Sequence, residues 1–548
     1  MSKNNLILIS IIGIALFLRF WNLGSVPISP DWDEVSWGYN TYSILHTGHD
    51  EYGKFLPVLL QSYNDFKPAL YAYLSIIPIA ILGLSLTALR FANAFFSVMA
   101  VITTYFLVKE LFKRKDLALL SSFLLAISPW AIQFGRFAHE ATVGVSFNLL
   151  TILFLLKGLK KPYFLFLSAL FSALALYTYQ SEKIFAPLLM ILLVIIYKKE
   201  LFRINKKYLL SFFAVGLLVA LPMLFSIVKN PQSLNRAKST SFISDTKFFP
   251  HTAKRLMVDR ENNDYVGLVM DNRRVVYVRQ VIGAYLSHYD LNWLFVTGDL
   301  PRHHAPGMGL LYLWELPFLL FGIFAFIFNE KFDKKSKLLV ISWFLIAPIP
   351  ASISNDVPQA GRTLNFLPTF QIFIAVGLIS SVSRLSNIKY QIANIQIKYL
   401  IITAYFSFLI FNISYYLNQY FVQQNYFYSK EWQYGYENAI EYVNSVKGDY
   451  EKVVVSDETP LDQSYMFFLF YLKYPPAKYQ MSPHNINNHN FDKFEFRKID
   501  WDKDQNLENT LFVGRPIDFN ASSRILKTFE YLNGEDAIKI VKPLSSTF

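Results

Sequence analysis

Long apolar runs separated by short, basic polar stretches set the pattern of this chain. The runs cover residues 6–21, 86–108, 117–134, 141–157, 162–180, 184–197, 208–228, 310–328, 337–350, 364–381 and 398–416. A bilayer core about 30 Å thick is crossed by roughly 20 helical residues, so the pattern predicts about eleven transmembrane helices. The first run has the length of a secretory signal. Arg19, Phe20 and Trp21 stand where a small-residue cleavage site would be needed, which predicts an uncleaved span with an interfacial anchor.

One apolar stretch, residues 69–83, is assigned to the membrane surface instead. Lys109, Lys113, Arg114, Lys115, Lys157, Lys160, Lys161, Lys198, Lys199, Arg203, Lys206 and Lys207 then share one side with Lys331, Lys334, Lys335, Lys337, Arg384, Lys389 and Lys398. The short loops of the other side hold only Arg136, Lys183 and Arg362. Basic loops mark the cytoplasmic side, together with Lys3 of a cytoplasmic N-terminus. Counting 69–83 as a span would send every basic loop outside. Its Tyr, Pro and Ser content also suits a helix lying at the interface.

This topology leaves three sizeable pieces outside a multi-pass protein of the cell membrane: loops 22–85 and 229–308, and the C-terminal segment 420–548. In the last, a helical period over 431–446 precedes an apolar β-branched run at 452–456, with further strand-like runs at 510–513 and 537–541. The fold class expected is an all-α polytopic membrane domain, residues 1–419, with juxtamembrane helices, followed by a small extracytoplasmic α/β domain, residues 420–548.

Composition sharpens this. Of 548 residues, 53% are hydrophobic and 17% charged, against about 25% charged in an average soluble domain. The net charge of +12 would point to nucleic acid in a soluble chain; placed in short loops it reports membrane orientation, and no nucleic-acid partner is expected. With no cysteine, disulfides, thiolate metal sites and cysteine nucleophiles are excluded.

Ionisable residues at a membrane boundary are costly and are functional candidates by default. Four clusters fall on the predicted outer side. Asp31-Trp32-Asp33-Glu34 offers paired carboxylates for general-base work or a metal, or else an acidic helix cap. Asn64-Asp65-Phe66-Lys67-Pro68 presents a lysine at the start of an apolar helix, suited to a phosphate or to simple snorkelling. Residues 128–140 pack Arg136, His139 and Glu140 between two spans; interfacial anchorage explains Trp130 and Arg136 better than it explains His139-Glu140. Arg302-His303-His304, with Gln359-Ala360-Gly361-Arg362, supplies cations for an anionic lipid head. Adjacent His303 and His304 lack helical metal-ligand spacing. No metal site is assigned and no cofactor is certain, although a divalent metal stays possible.

The ordered set resembles a family. Asp33-Glu34, Gly38-Tyr39, Gly48, Lys67-Pro68 and Arg90 opening a long span are similar to the protein mannosyltransferase and aminoarabinose transferase group of C-superfamily membrane glycosyltransferases. Residues 128–140 resemble their second acidic loop, and Arg302 to Gly309 with Arg362 their later outer-face residues. The likeness covers roughly 6–416. Two departures stand out: Pro68 is followed by Ala69 rather than a second proline, and the second acidic position is Glu140 rather than Asp. The resemblance implies juxtamembrane helices in the first outer loop and a polyprenyl-phosphate-sugar donor.

With that donor, Asp33 is the expected base, and Glu34 orients it, caps a helix or balances charge. Lys67 and Arg362, with Arg302 as a third choice, hold the phosphate. Glu140, assisted by His139, binds sugar hydroxyls, and Arg136 and His303 complete the substrate-binding set. The acceptor, a lipid, protein or polysaccharide, is not readable. The alternative, a flippase or transporter of lipid-linked sugars, would show broken or charged midplane helices and internal repeats, and neither is evident.

Overall fold

The computed structural model describes residues 2–63, 65–230, 249–387, 395–485, 488–521 and 523–543. Helix α1, Lys3–Phe20, leads through a turn into α2, Trp32–Thr47. Asp31 caps α2 by accepting a hydrogen bond from the Glu34 N–H at 2.8 Å, and Gly48, at φ +72°, ends it in the left-handed conformation that glycine adopts without strain. An antiparallel hairpin follows, β1 (Leu59–Ser62) and β2 (Asp65–Pro68), with Leu60 opposite Lys67. Then come α3, Leu70–Leu82, and α4, Leu86–Phe112.

Helices α5, Lys115–Ile127, and α6, Pro129–Arg136, form one apolar segment bent by 55°. Ser128 makes the bend. It terminates α5, caps α6 through its hydroxyl and precedes a proline at the first helical position. Helices α7 (Ala141–Gly158), α8 (Phe164–Ala175), α9 (Glu182–Leu201) and α10 (Lys206–Lys229) complete the first half. Beyond it lie helices Phe249–Glu261, Arg273–Ser287, Leu316–Phe328, Lys334–Ile346, Thr369–Asn387 and Ile395–Asn418.

Among the described residues, five helices are long and apolar enough to cross a membrane, or six with the bent α5–α6 pair. The expected count of about eleven is not reached by that measure. Several predicted spans fold as shorter helices: the run 162–180 is helical over Phe164–Ala175, and 337–350 is interrupted after Ile346. The 69–83 stretch is the 13-residue α3, carrying an internal Pro78, too short to cross a bilayer upright.

Helices α4 and α7 form the centre, with 72% and 83% of their apolar windows buried, while α1 and α10 are peripheral at 22% and 17%. Helices Leu316–Phe328 and Thr369–Asn387 approach closely through Gly322 and Gly377; a Cβ on either would collide with the carbonyl of Phe373 or Phe318. At one end of the bundle the basic loops meet. Glu110 pairs with Lys113 at 2.8 Å and with Lys160 at 2.5 Å, Glu200 pairs with Lys335, and the Ser336 hydroxyl donates to the Leu111 carbonyl at 3.0 Å.

The other end carries the C-terminal segment. Its five strands, β3 (Lys452–Val455), β4 (Phe494–Phe496), β5 (Thr510–Gly514), β6 (Arg524–Glu530) and β7 (Asp536–Lys542), run in the order β4-β3-β5-β7-β6. Strand β3 is parallel to both its neighbours, and β7 is antiparallel to β5 and β6. Helices Tyr436–Val446 and Ser464–Tyr471 pack on it. This segment grips the first loop: the Gln480 side-chain amide donates to the Ser43 and Thr47 hydroxyls at 3.0 Å and to the Asp50 carbonyl at 2.9 Å.

Candidate active site

The acidic run at the start of α2 divides by direction. Consecutive helical residues point about 100° apart, so Asp33 and Glu34 enter different surroundings. Glu34 is fully buried. It receives two hydrogen bonds from the Arg90 guanidinium, at 2.9 and 2.8 Å, and one from the Ala138 N–H at 2.7 Å. Arg90, equally buried, donates its remaining hydrogens to the carbonyls of Leu23, Pro27 and Ser29 at 2.7–3.1 Å. Both charges are satisfied, as a buried pair requires. Of the three readings of Glu34, this geometry fits charge balance and leaves its oxygens committed.

Asp33 faces out, with 37% of its side chain exposed, and forms an ion pair with Lys67. Lys67 is buried, its ammonium 5.7 Å from the Tyr63 ring and 5.8 Å from the Trp37 ring. The sequence reading placed Lys67 at a helix N-terminus. It lies instead on β2, and the helix begins at Leu70. Lys67–Pro68 pairs with β1, so its position is fixed by a strand register rather than a helix end.

Asp31, besides capping α2, pairs with Arg302 at 2.6 Å, joining positions 271 residues apart. Burial pushes the Asp31 carboxyl up to about 6, with Arg302 opposing and Asp33 and Glu34 adding to the rise. The Arg302 guanidinium lies 4.4 Å from the Trp32 ring, and its carbonyl accepts from Gln133 at 2.7 Å.

A second group adjoins this one. His139 is surrounded by the rings of Phe134, Phe137 and Tyr179, with His303 at 6.4 Å between centroids. His303 hydrogen-bonds Asp299 at 2.8 Å, and Asp299 also accepts from the Ala360 N–H at 2.7 Å. Burial works against the Asp299 charge, yet the His303 ring and the backbone N–H groups hold its carboxyl below the usual range. Gly361 packs on Phe134 and His139. Arg362 donates to the Ser354 hydroxyl at 2.5 Å, and its N–H donates to the Gln359 side chain at 2.6 Å. Arg362 precedes a short 3-10 turn, and the helix begins only at Thr369. Glu140 is buried at the head of α7.

Arg136 is turned away from both groups. It donates to the carbonyls of Leu18, Arg19, Trp21, Asn22 and Val26 at 2.7–3.3 Å, closing the carbonyl end of α1. That geometry fits anchorage, one of the two readings of residues 128–140, rather than a substrate contact. The sequence reading passed over Glu51, fully buried, which accepts from Asn40 at 3.0 Å and from Tyr465 of the C-terminal segment at 3.4 Å. It also passed over Asp299. Nothing in their flanking residues marks either one. Among the described residues, no three His, Asp or Glu side chains gather as a metal-ligand set.

Residues 66–225 match the family described as dolichyl-phosphate-mannose-protein mannosyltransferase. ArnT from Cupriavidus metallidurans bound to undecaprenyl phosphate superposes with a TM-score of 0.58 at 12% identity, over 100% of this chain and 99% of that one. The apo state of the same protein gives 0.56 at 12% identity, over 98% of each. No curated protein matches the chain. The match to residues 66–225 begins at the strand bearing Lys67, and the ArnT likeness extends along the whole fold. Residues 66–225 thus resemble the protein mannosyltransferase family in sequence, and the chain as a whole resembles ArnT in fold.

Proposed function

We propose that this chain, which its family match and fold support as a membrane glycosyltransferase, moves a sugar from a polyprenyl phosphate to an acceptor hydroxyl on the extracytoplasmic face. The observation that carries this reading is the Asp33–Lys67 ion pair. A half-exposed carboxylate and a buried ammonium in direct contact are suited to receive a phosphate and a hydroxyl together. The donor phosphate competes for Lys67, which frees Asp33 to take the acceptor proton.

In the proposed step the acceptor oxygen bonds to the anomeric carbon as the bond from that carbon to the phosphate oxygen breaks. The acceptor proton passes to Asp33, and the electron pair leaves with the polyprenyl phosphate, held by Lys67. One displacement inverts the anomeric centre. Arg302, steered by Asp31 and Trp32, and Arg362, resting on Ser354, are the further cations for the phosphate. Glu140, His139 and His303 form the neighbouring wall for sugar hydroxyls. Residues 1–419 act as the catalytic membrane domain and 420–548 as a cover over its first loop.

Transfer assayed in detergent with a synthetic polyprenyl-phosphate sugar tests the reading. Acceptor-dependent release of polyprenyl phosphate is expected. A purified, folded protein that only moves the intact lipid between leaflets of a vesicle would overturn it.

A further inference from the structure

A cavity of about 720 Å³ opens between the rim of the membrane bundle and the C-terminal segment, within the roughly 300–1,000 Å³ of small-molecule sites. Segments 24–29 and 84–87 form its membrane-side wall, and segments 434–441 and 470–473 the other. The lining is polar. Glu437 and Glu441 stand one turn apart on helix Tyr436–Val446, with Asn438 beside them and the rings of Tyr434 and Tyr471 flanking. The Tyr471 hydroxyl is buried and has no partner at hydrogen-bond geometry.

This chemistry selects among ligands. Two carboxylates against one cation, Lys473, repel a phosphate, so the cavity does not suit the donor's head. Its polar walls would be desolvated without compensation by a lipid chain. Carboxylates and an amide oxygen accept hydroxyl hydrogens, and aromatic faces cover the C–H faces of a sugar ring. Partial burial of the Glu437 carboxyl against the cavity wall, then the charge of Glu441, push it up from its ordinary value even though the residue as a whole stays open to solvent, and a ligand hydroxyl donating to it would favour the ionised form.

We propose that this cavity binds an uncharged, hydroxyl-rich saccharide. Its role as the acceptor-side subsite rests on the transferase reading above. The wall is tied to the candidate centre through Ser29, whose carbonyl accepts from Arg90 at 2.9 Å, the same guanidinium that holds Glu34 beside Asp33. The C-terminal segment thus contributes half of a binding site.

Both glutamates are exposed, so the double substitution Glu437→Gln/Glu441→Gln is expected to leave the fold intact, which a thermal melt verifies. Calorimetry on the full-length protein in detergent, without donor, measures binding of neutral oligosaccharides, free and carried on a lipid. Wild type should bind, the double variant about tenfold more weakly, and a remote Lys503→Gln variant like wild type. Equal binding of the free and lipid-borne sugars assigns recognition to the saccharide alone; tighter binding of the lipid-borne form adds a membrane-side contact to the same site. No saccharide binding by wild type, indifference to the double substitution, or preference for a basic peptide would overturn the proposal. Because the calorimetry contains no donor, absence of transfer in the separate donor assay together with retained saccharide binding sinks the reaction assignment and leaves the cavity standing.

Discussion

The ring of Phe470 fills the space that a side chain on Gly38 would need; a Cβ at that position would lie 2.5 Å from it. Gly38 sits in the middle of α2, and Phe470 near the end of the C-terminal helix Ser464–Tyr471. Leu89 closes the third side, so the ring has little room to yield. Overpacking of this kind costs about 1–3 kcal/mol. Gly38→Ala should lower the melting temperature and the transfer rate together, and adding Phe470→Leu should restore part of both. Unchanged melting in the single variant would mean that the C-terminal segment is not seated on α2 in solution.

Asp33 and Glu34 should respond differently to amide substitution. Asp33→Asn is nearly isosteric but cannot take a proton, so transfer should vanish while the protein still folds; because the Asp33 side chain is 37% exposed, its melting should fall less than that of Glu34→Gln, whose pair with Arg90 is fully buried. Glu34→Gln removes one half of a buried ion pair and strands Arg90, at a cost of roughly 3–5 kcal/mol. Its first effect should be lost stability. Full turnover by a well-folded Asp33→Asn protein would sink the base assignment.

Lys67→Gln and Arg362→Gln each remove a cation from the proposed phosphate site. A charge-assisted hydrogen bond is worth about 1.5–3 kcal/mol, or roughly ten- to hundredfold in transfer at about 1.4 kcal/mol per decade. The loss should appear when donor is varied. A rise confined to the acceptor KM, or no change at all, would return both residues to a role in anchorage.

Glu51 gives the protein a pH dependence of defined sign. Burial raises its carboxyl to about 8 from an ordinary 4.5, with Asp50 adding to the rise and Asn40, Tyr465 and Lys67 opposing it. Between those values the unfolded chain ionises and the folded one does not, so this group removes stability as pH climbs from about 4.5 to about 8, and nothing further above that. Glu51→Gln should match wild type near pH 4.5 and melt higher at pH 8. At 1.36 kcal/mol per unit, the gap is on the order of 3–5 kcal/mol. Parallel melting curves at the two pH values would refute it.

Much of the fold was readable, and the reasons are local. Runs 452–456, 510–513 and 537–541 fold as Lys452–Val455, Thr510–Gly514 and Asp536–Lys542 because buried strands are continuous apolar runs. Strand β6 escaped notice since Arg524, Lys527 and Glu530 give its exposed face the look of a loop. The hairpin at Leu59–Pro68 was hidden by the apolar run that follows it. Charge alternation predicts the four polar clusters on one side; that Asp31 meets Arg302 could not be predicted, because a pairing across 271 residues leaves no local trace.

Orientation has its own test, made clean by the absence of native cysteine. A single cysteine replacing Lys113, beside the Glu110 cluster, should be silent toward an impermeant thiol reagent in intact cells and react after permeabilisation. Labelling in intact cells would reverse the sidedness of the whole proposal.

The hairpin that carries Lys67 makes the length of a connection part of the chemistry. Side chains alternate faces along β2, and Lys67 is set opposite Leu60 by the two-strand register. One residue added between Ser62 and Asp65 would slide that register and exchange the directions of Phe66 and Lys67, putting a phenyl ring where the ammonium meets Asp33. The cation is thus specified twice, once by its identity and once by counting, and a chain that kept every charged residue could still lose its anion site by a single insertion.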